Sequence, residues 1–262
     1  MQQSSFGEAL ARLWPDGDRV VPGLRAGMIA AAPGVFAKYD IDTAPLVAHV
    51  MAQISHECGA GREVVESLDY TAERMMQVWP PRFRTLASAA PYAHAPRALA
   101  NKVYNGRMGN VVGSDDGWTF SGRGAAQTTG REGYARLAKA TGLDLIGDPE
   151  LINDPRFFLL CGVGDFVACG CLPFARADDV VGVTRRLNGG TIGLAQRRAW
   201  LARWKAALAD APVIAAPPLV PEAPTRTPAS AQPPAVSSPP TRPPPWRLGA
   251  FVAALAAAFK RS

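Results

Sequence analysis

Three carboxyl side chains that could do chemistry together lie within ten residues of one another: Glu57, Glu63 and Glu66. Glu57 stands where an apolar run with helical spacing ends, three residues after Ile54 and seven after Val50, so it borders a buried stripe. Partial burial disfavours the charged form of a carboxyl, and a carboxyl that keeps its proton near neutral pH is what a general acid requires. Gly59 and Gly61 come next, breaking the helix and letting the segment with Glu63 and Glu66 approach. Two carboxyl groups across a gap are the minimum equipment for hydrolysing a glycosidic bond. A Glu at a helix end before glycine is also an ordinary helix stop, and at this point both readings stand.

Competing chemistries find less support. His56-Glu57 begins like the zinc-protease pattern HExxH, but position 60 is Ala, so the second ligand one turn on is missing. No GxSxG nucleophile elbow occurs, and no glycine-rich stretch has the spacing of a Walker A or dinucleotide loop. A second informative stretch runs from Gly122 to Glu132. Thr129 and Glu132 have capping-box spacing, which reads as a capped helix; alternatively Gln127 and Thr129 present an amide and a hydroxyl to a cleft, where they hold a sugar and a water. A third is Asn188-Gly189-Gly190, a helix C-cap signal, with Arg197 and Arg198 beyond it, which by themselves read as helix-surface charges.

The elements that must position these residues read as helices, since apolar residues recur at three to four and alternating runs are scarce. Thr43 and Pro45 open a helix over Ala44 to Glu57, with Val47, Val50, Met51 and Ile54 as its buried stripe. Further helices are predicted near Pro96 to Val103, Glu132 to Ala140, Pro155 to Val167, Asp179 to Leu187 and Leu194 to Ala209. Trp200 and Trp204, at i and i+4, read as packing; Trp79, Tyr104 and Trp118 are candidates for stacking on sugar faces or for core.

Composition changes after Asp210. Residues 211–245 hold 13 of the 24 prolines among Ala, Ser, Thr and Val, which reads as an extended spacer. At roughly 3.1 Å per residue such a spacer reaches on the order of 100 Å. Residues 246–262 hold an apolar run, Leu248 to Phe259, flanked by Arg247 and by Lys260-Arg261. As a helix this run is about 18 Å long, short of the roughly 30 Å hydrocarbon core, so the expectation is peripheral membrane contact or an unattached end, not a span. The domain reading is therefore a catalytic body over 1–210, a Pro/Ala-rich linker over 211–245 and a tail over 246–262.

The net charge of +6 is uneven. Arg226, Arg242, Arg247, Lys260 and Arg261 against Glu222 put +4 after residue 210, leaving about +2 on the body, which argues against a nucleic-acid partner. Cys58, Cys161, Cys169 and Cys171 lack CxxC spacing and read as reduced thiols; with three histidines and no ligand cluster, neither a metal nor an organic cofactor is expected. The start has no basic region ahead of an apolar stretch, so the expectation is synthesis in the cytoplasm without a signal peptide.

Together the ordered motifs Ala52-Gln53-Ile54-Ser55-His56-Glu57, Tyr104-Asn105-Gly106-Arg107-Met108-Gly109-Asn110, Gly122-Arg123-Gly124 with Gln127 and Thr129, and Asn188-Gly189-Gly190 with Arg197 resemble glycoside hydrolase family 19, the chitinase-like enzymes that include bacteriophage endolysins. The resemblance covers about residues 20–208. It implies a mainly α, lysozyme-like, two-lobed helical fold with a substrate cleft, and inverting hydrolysis of β-1,4 bonds next to N-acetylated amino sugars. By position it implies that Glu57 is the general acid, Glu66 the general base and Thr129 the hydroxyl that helps hold the attacking water. Glu63 is the rival base. Gln127, Asn188 and Arg197 match cleft residues, and Tyr104 joins them as a candidate substrate contact. An inverting pair needs its carboxyl groups roughly 6.5 to 9.5 Å apart to admit the water. The chain departs from the family at Gly133, where Asn is frequent, and at Ala125 and Ala126, where a large apolar residue is commoner. The resemblance further implies a monomer that acts on peptidoglycan, or on chitin as the alternative, reaching the bacterial wall after release. A rival of another class is a non-catalytic wall-binding protein whose tail perturbs membranes.

Overall fold

The structure is a computed structural model that describes residues 3–209, so the predicted linker and tail lie outside the described residues. It is mainly helical, as expected: α1 Gln3–Leu13, α2 Leu24–Lys38, α3 Ala44–Glu57, α4 Ala72–Val78, α5 Leu86–Ala89, α6 Pro96–Tyr104, α7 Asp116–Thr119, α8 Arg131–Thr141, α9 Phe158–Ala168, α10 Leu172–Arg176, α11 Val180–Asn188 and α12 Leu194–Leu208. Among the described residues the extended structure consists of isolated bridges that join Val65 to Arg123 and Arg123 to Thr128. No helix among them is long and apolar enough to cross a membrane.

Helix α3 starts as predicted, with the Thr43 hydroxyl accepting from Leu46 N–H and Pro45 in the first turn. Its surroundings differ from the expected single stripe, because every residue from Leu46 to Ser55 is buried. The helix runs through the main core, packed along α12 and touched by α9 and α10. Its polar residues are buried with partners from elsewhere in the chain. His49 Nε2 meets Asp178 at 2.7 Å, Gln53 accepts from Arg197, and Ser55 Oγ accepts from the indole N–H groups of Trp14 and Trp204, both at 2.8 Å. Each bond offsets part of the cost of burying a polar group in the core.

Among the described residues the apolar side chains gather in three clusters. The largest joins α1, α2, α3, α9 and α12; a second holds Met75, Trp79, Phe83, Leu99 and Tyr104 from α4 to α6; a third holds Phe120, Tyr134, Leu137, Ile152 and Cys161 around α8. Trp79 is thus core, and Trp204 is fully buried as predicted. All four cysteines are buried thiols, and burial pushes Cys58 and Cys161 up to about 12.

Two local expectations are corrected. The capping box at Thr129 does not form: α8 has Gly130 at its N-cap and no side-chain cap, and the Thr129 hydroxyl donates to Gln127 O at 3.0 Å. The orphan donors of α8 go to the preceding loop instead, Arg131 N–H to Asn110 Oδ1 at 2.8 Å and Glu132 N–H to Met108 O at 3.0 Å. Helix α9 begins at Phe158 rather than Pro155, because the Asp154 side chain accepts from Arg156 N–H and holds a turn there.

Candidate active site

Glu57 ends α3, and the chain reverses over Gly59, Ala60 and Gly61, all in the left-handed region at φ 56°, 57° and 85°. Gly61 also has no room for a side chain, since a Cβ there would lie 2.8 Å from Gly17 O. The reversal delivers residues 64–66 against the Gly122-Arg123-Gly124 segment: Glu66 N–H donates to Gly122 O at 2.8 Å, and Gly124 N–H to Val64 O at 2.9 Å. Arg123 anchors that segment, donating to the carbonyls of Thr119 at 2.7 Å and Trp118 at 3.4 Å. Its main chain pairs with Thr128, closing the tight loop that carries Gln127 at φ 50°.

Glu66 accepts the Tyr104 hydroxyl at 2.5 Å on one oxygen and Gly122 N–H at 3.2 Å on the other. Burial lifts its carboxyl above the usual carboxylate range, while Tyr104, Gly122 N–H and the Arg123 charge pull the other way. Tyr104 rises well above its ordinary value, from burial first and the Glu66 charge second. Three oxygens gather over Gly122: a Cβ there would lie 3.2 Å from Glu66 Oε2, 3.2 Å from Thr129 Oγ1 and 3.3 Å from Gln127 Oε1. Gln127 is fixed by its amide, which donates to Glu63 O at 2.8 Å and Gly124 O at 3.3 Å. Glu63 itself is exposed and lies against Gly59, so the geometry joins Glu66, not its rival, to Gln127 and Thr129.

Glu57, Gln53, Met108, Gln127, Thr129 and Asn188 line one cleft of about 820 Å³ including its open mouth. Glu66 adjoins the wall made by Gln127 and Thr129. The Glu57 side chain is 8% exposed, yet the expected apolar setting is corrected, because its oxygen accepts from the guanidinium of Arg197. Arg197 is fully buried on α12, unlike the exposed Arg198, and donates also to Gln53 and to Asn188 Oδ1 at 3.2 Å. A buried cation requires such acceptors. Asn188 is held in turn, donating to Ile192 O at 3.0 Å, just before the Gly189 cap at φ 72°. Tyr104 is 2% exposed with its hydroxyl on Glu66, so it is placed behind that carboxyl and not as a stacking face.

Sequence reasoning passed over three cleft residues. Gln53 lies four before Glu57 on α3 and so on the same face, a spacing that could have singled it out. Asp165 is the lone charge in the apolar run of α9, the usual mark of a buried acid with a task. Arg136 lies one turn after Glu132 on α8 and carried no signal beyond its charge.

A helical body whose cleft holds one buried glutamate, with a second carboxyl, an amide and a hydroxyl gathered beside it, defines a glycosidase-like class. No family model matches the chain. It is 35% identical over 149 residues to a glycosyl hydrolase family 19 domain-containing protein of Haemophilus influenzae, a match that spans 56% of this chain and 72% of the relative. The chain belongs to glycosyl hydrolase family 19, and is a glycosidase by that membership.

Proposed function

We propose that the chain hydrolyses the glycan strand of peptidoglycan with inversion, as an endolysin-type enzyme. The observation that carries this reading is the gathering of Glu66 Oε2, Thr129 Oγ1 and Gln127 Oε1 over Gly122, beside the cleft that Glu57 lines. Glu66 is the base: a carboxylate whose proton affinity is lifted by burial takes a proton from water more readily near neutral pH. Thr129 Oγ1 accepts from the other O–H of that water, with Gln127 Oε1 beside it. Glu57 is the acid. Arg197 occupies one of its oxygens, so the other carries the proton to the leaving glycosidic oxygen. Asn188 and Gln53 keep the guanidinium in place.

In this reading residues 1–210 are the catalytic body, which acts as a monomer without a cofactor; residues 211–245 tether a tail, 246–262, that contacts membranes peripherally. The enzyme is made in the cytoplasm and meets the wall after release. Digesting purified peptidoglycan and chitin side by side, with mass spectrometry of the products, tests the assignment: new reducing ends from peptidoglycan are expected, and release from chitin alone would overturn it. Glu57→Gln separates catalysis from wall binding, with kcat expected to fall at least about 100-fold; full lytic activity in that variant would leave the tail as the agent.

A further inference from the structure

The wall of the cleft built by α8 and α9 carries charges that the hydrolytic steps do not use. Glu132 and Arg136 on α8 and Asp165 on α9 all line it, together with Gly133 and Thr128. Arg136 Nη2 lies 3.6 Å from Asp165 Oδ1, close enough for attraction and too far for a hydrogen bond. Asp165 is 6% exposed, while Arg136 keeps 44% of its side chain accessible. A buried carboxylate on the neighbouring helix therefore draws an accessible guanidinium over the cleft. One such contact leaves most of the five N–H donors of the guanidinium for a ligand.

Position 133 makes room for it. A Cβ there would lie 3.9 Å from Arg136 Nη2 and 3.3 Å from Thr128 Cγ2, so the departure to glycine clears the ground beside the guanidinium. Thr128 is 6% exposed, and its Oγ1 has no hydrogen-bond partner among the described residues although the residue lines the cleft. A cation with spare donors and an unpartnered hydroxyl thus stand together on a wall with no task in bond cleavage. Glu57 does not compete for that cation, since Arg197 already engages one of its oxygens.

We propose that Arg136, held by Asp165 and admitted by Gly133, is a specificity-determining residue that binds a carboxylate of the peptide stems borne by peptidoglycan strands. The inference rests on the glycosidase reading above. A planar guanidinium matches a carboxylate with two parallel hydrogen bonds, and a peptide stem supplies carboxylates where chitin offers hydroxyls and acetamido groups alone. Glu132, one turn earlier, repels a carboxylate displaced toward the start of α8 and so sets the register.

The test measures kcat/KM on soluble peptidoglycan strands whose stem peptides keep their carboxylates and on the same strands with those carboxylates converted to amides. Wild type should prefer the strands with free carboxylates. Arg136→Gln should lower that preference about tenfold, chiefly through KM, and Arg136→Lys should restore part of it. An unchanged preference in Arg136→Gln, or a wild type indifferent to the capping of the stem carboxylates, overturns the inference while hydrolysis of both substrates leaves the glycosidase reading standing. Cleavage of neither substrate by wild type would sink that reading itself, and this inference with it.

Discussion

Glu66 is caught between opposed influences: burial raises its proton affinity, and the Tyr104 hydroxyl, Gly122 N–H and Arg123 charge favour its ionised form. Removing the hydroxyl removes one of the groups that lower the value. In Tyr104→Phe the carboxyl should therefore titrate at higher pH, and since a base works only when ionised, the acid limb of kcat/KM should move to higher pH. A pH–rate profile of the variant beside wild type checks this; a limb that stayed in place would show that Glu66 does not set it. Gly122→Ala tests the gathered oxygens. Its methyl would press on Glu66, Thr129 and Gln127 at 3.2 to 3.3 Å, so kcat should fall about 10- to 100-fold with little change in Tm. At this scale ordered motifs singled out Glu57, Gln127, Thr129 and Asn188 as candidates, and Glu66 followed from its place nine residues after Glu57. It did not carry their partners: Arg197 meets Glu57 across 140 positions, and a contact of that separation leaves no local pattern.

Helix α3 was legible from Thr43 to Glu57 because a capping threonine, an early proline and a glycine stop all agree. Residues 1–42 carry no such agreement, and neither α1 nor α2 was singled out from the sequence. Gly27, Pro33 and Gly34 look like breakers, yet α2 runs through them. Gly27 is required by packing: a Cβ there would lie 2.2 Å from Pro155 O. The failed cap at Thr129 has a similar origin, since Asn110 reaches across 21 positions to take the first donor of α8. Tertiary contacts, not local chemistry, decided these elements. Ser55 offers a test of how α3 is held. Ser55→Ala would strand the indole donors of Trp14 and Trp204 in the core, and unfolding free energy should drop by about 2 to 4 kcal/mol in denaturant titration. A loss below about 1 kcal/mol would show that the two indoles find other acceptors.

On the scale of the whole chain, the uneven charge and the proline-rich stretch after Asp210 set the body apart from the C-terminal residues. Ending the chain at Ala209 should leave kcat/KM on soluble strands within about twofold while reducing lysis of intact cells added from outside; equal lysis by both forms would deny residues 246–262 a part in it. The body is also unequal in how far its parts can give. Glu57 rides at the tip of a rod sunk in the core along ten successive residues, whereas the facing wall on α8 leaves Glu132 and Arg136 in solvent. Evolution can thus redraw the exposed wall without disturbing the proton donor. Enzymes of this design should diversify in what they accept by exchanging side chains along α8, and stay uniform along α3, so that a library randomised at 132, 133 and 136 would yield new preferences far more often than one randomised at 50, 53 and 54.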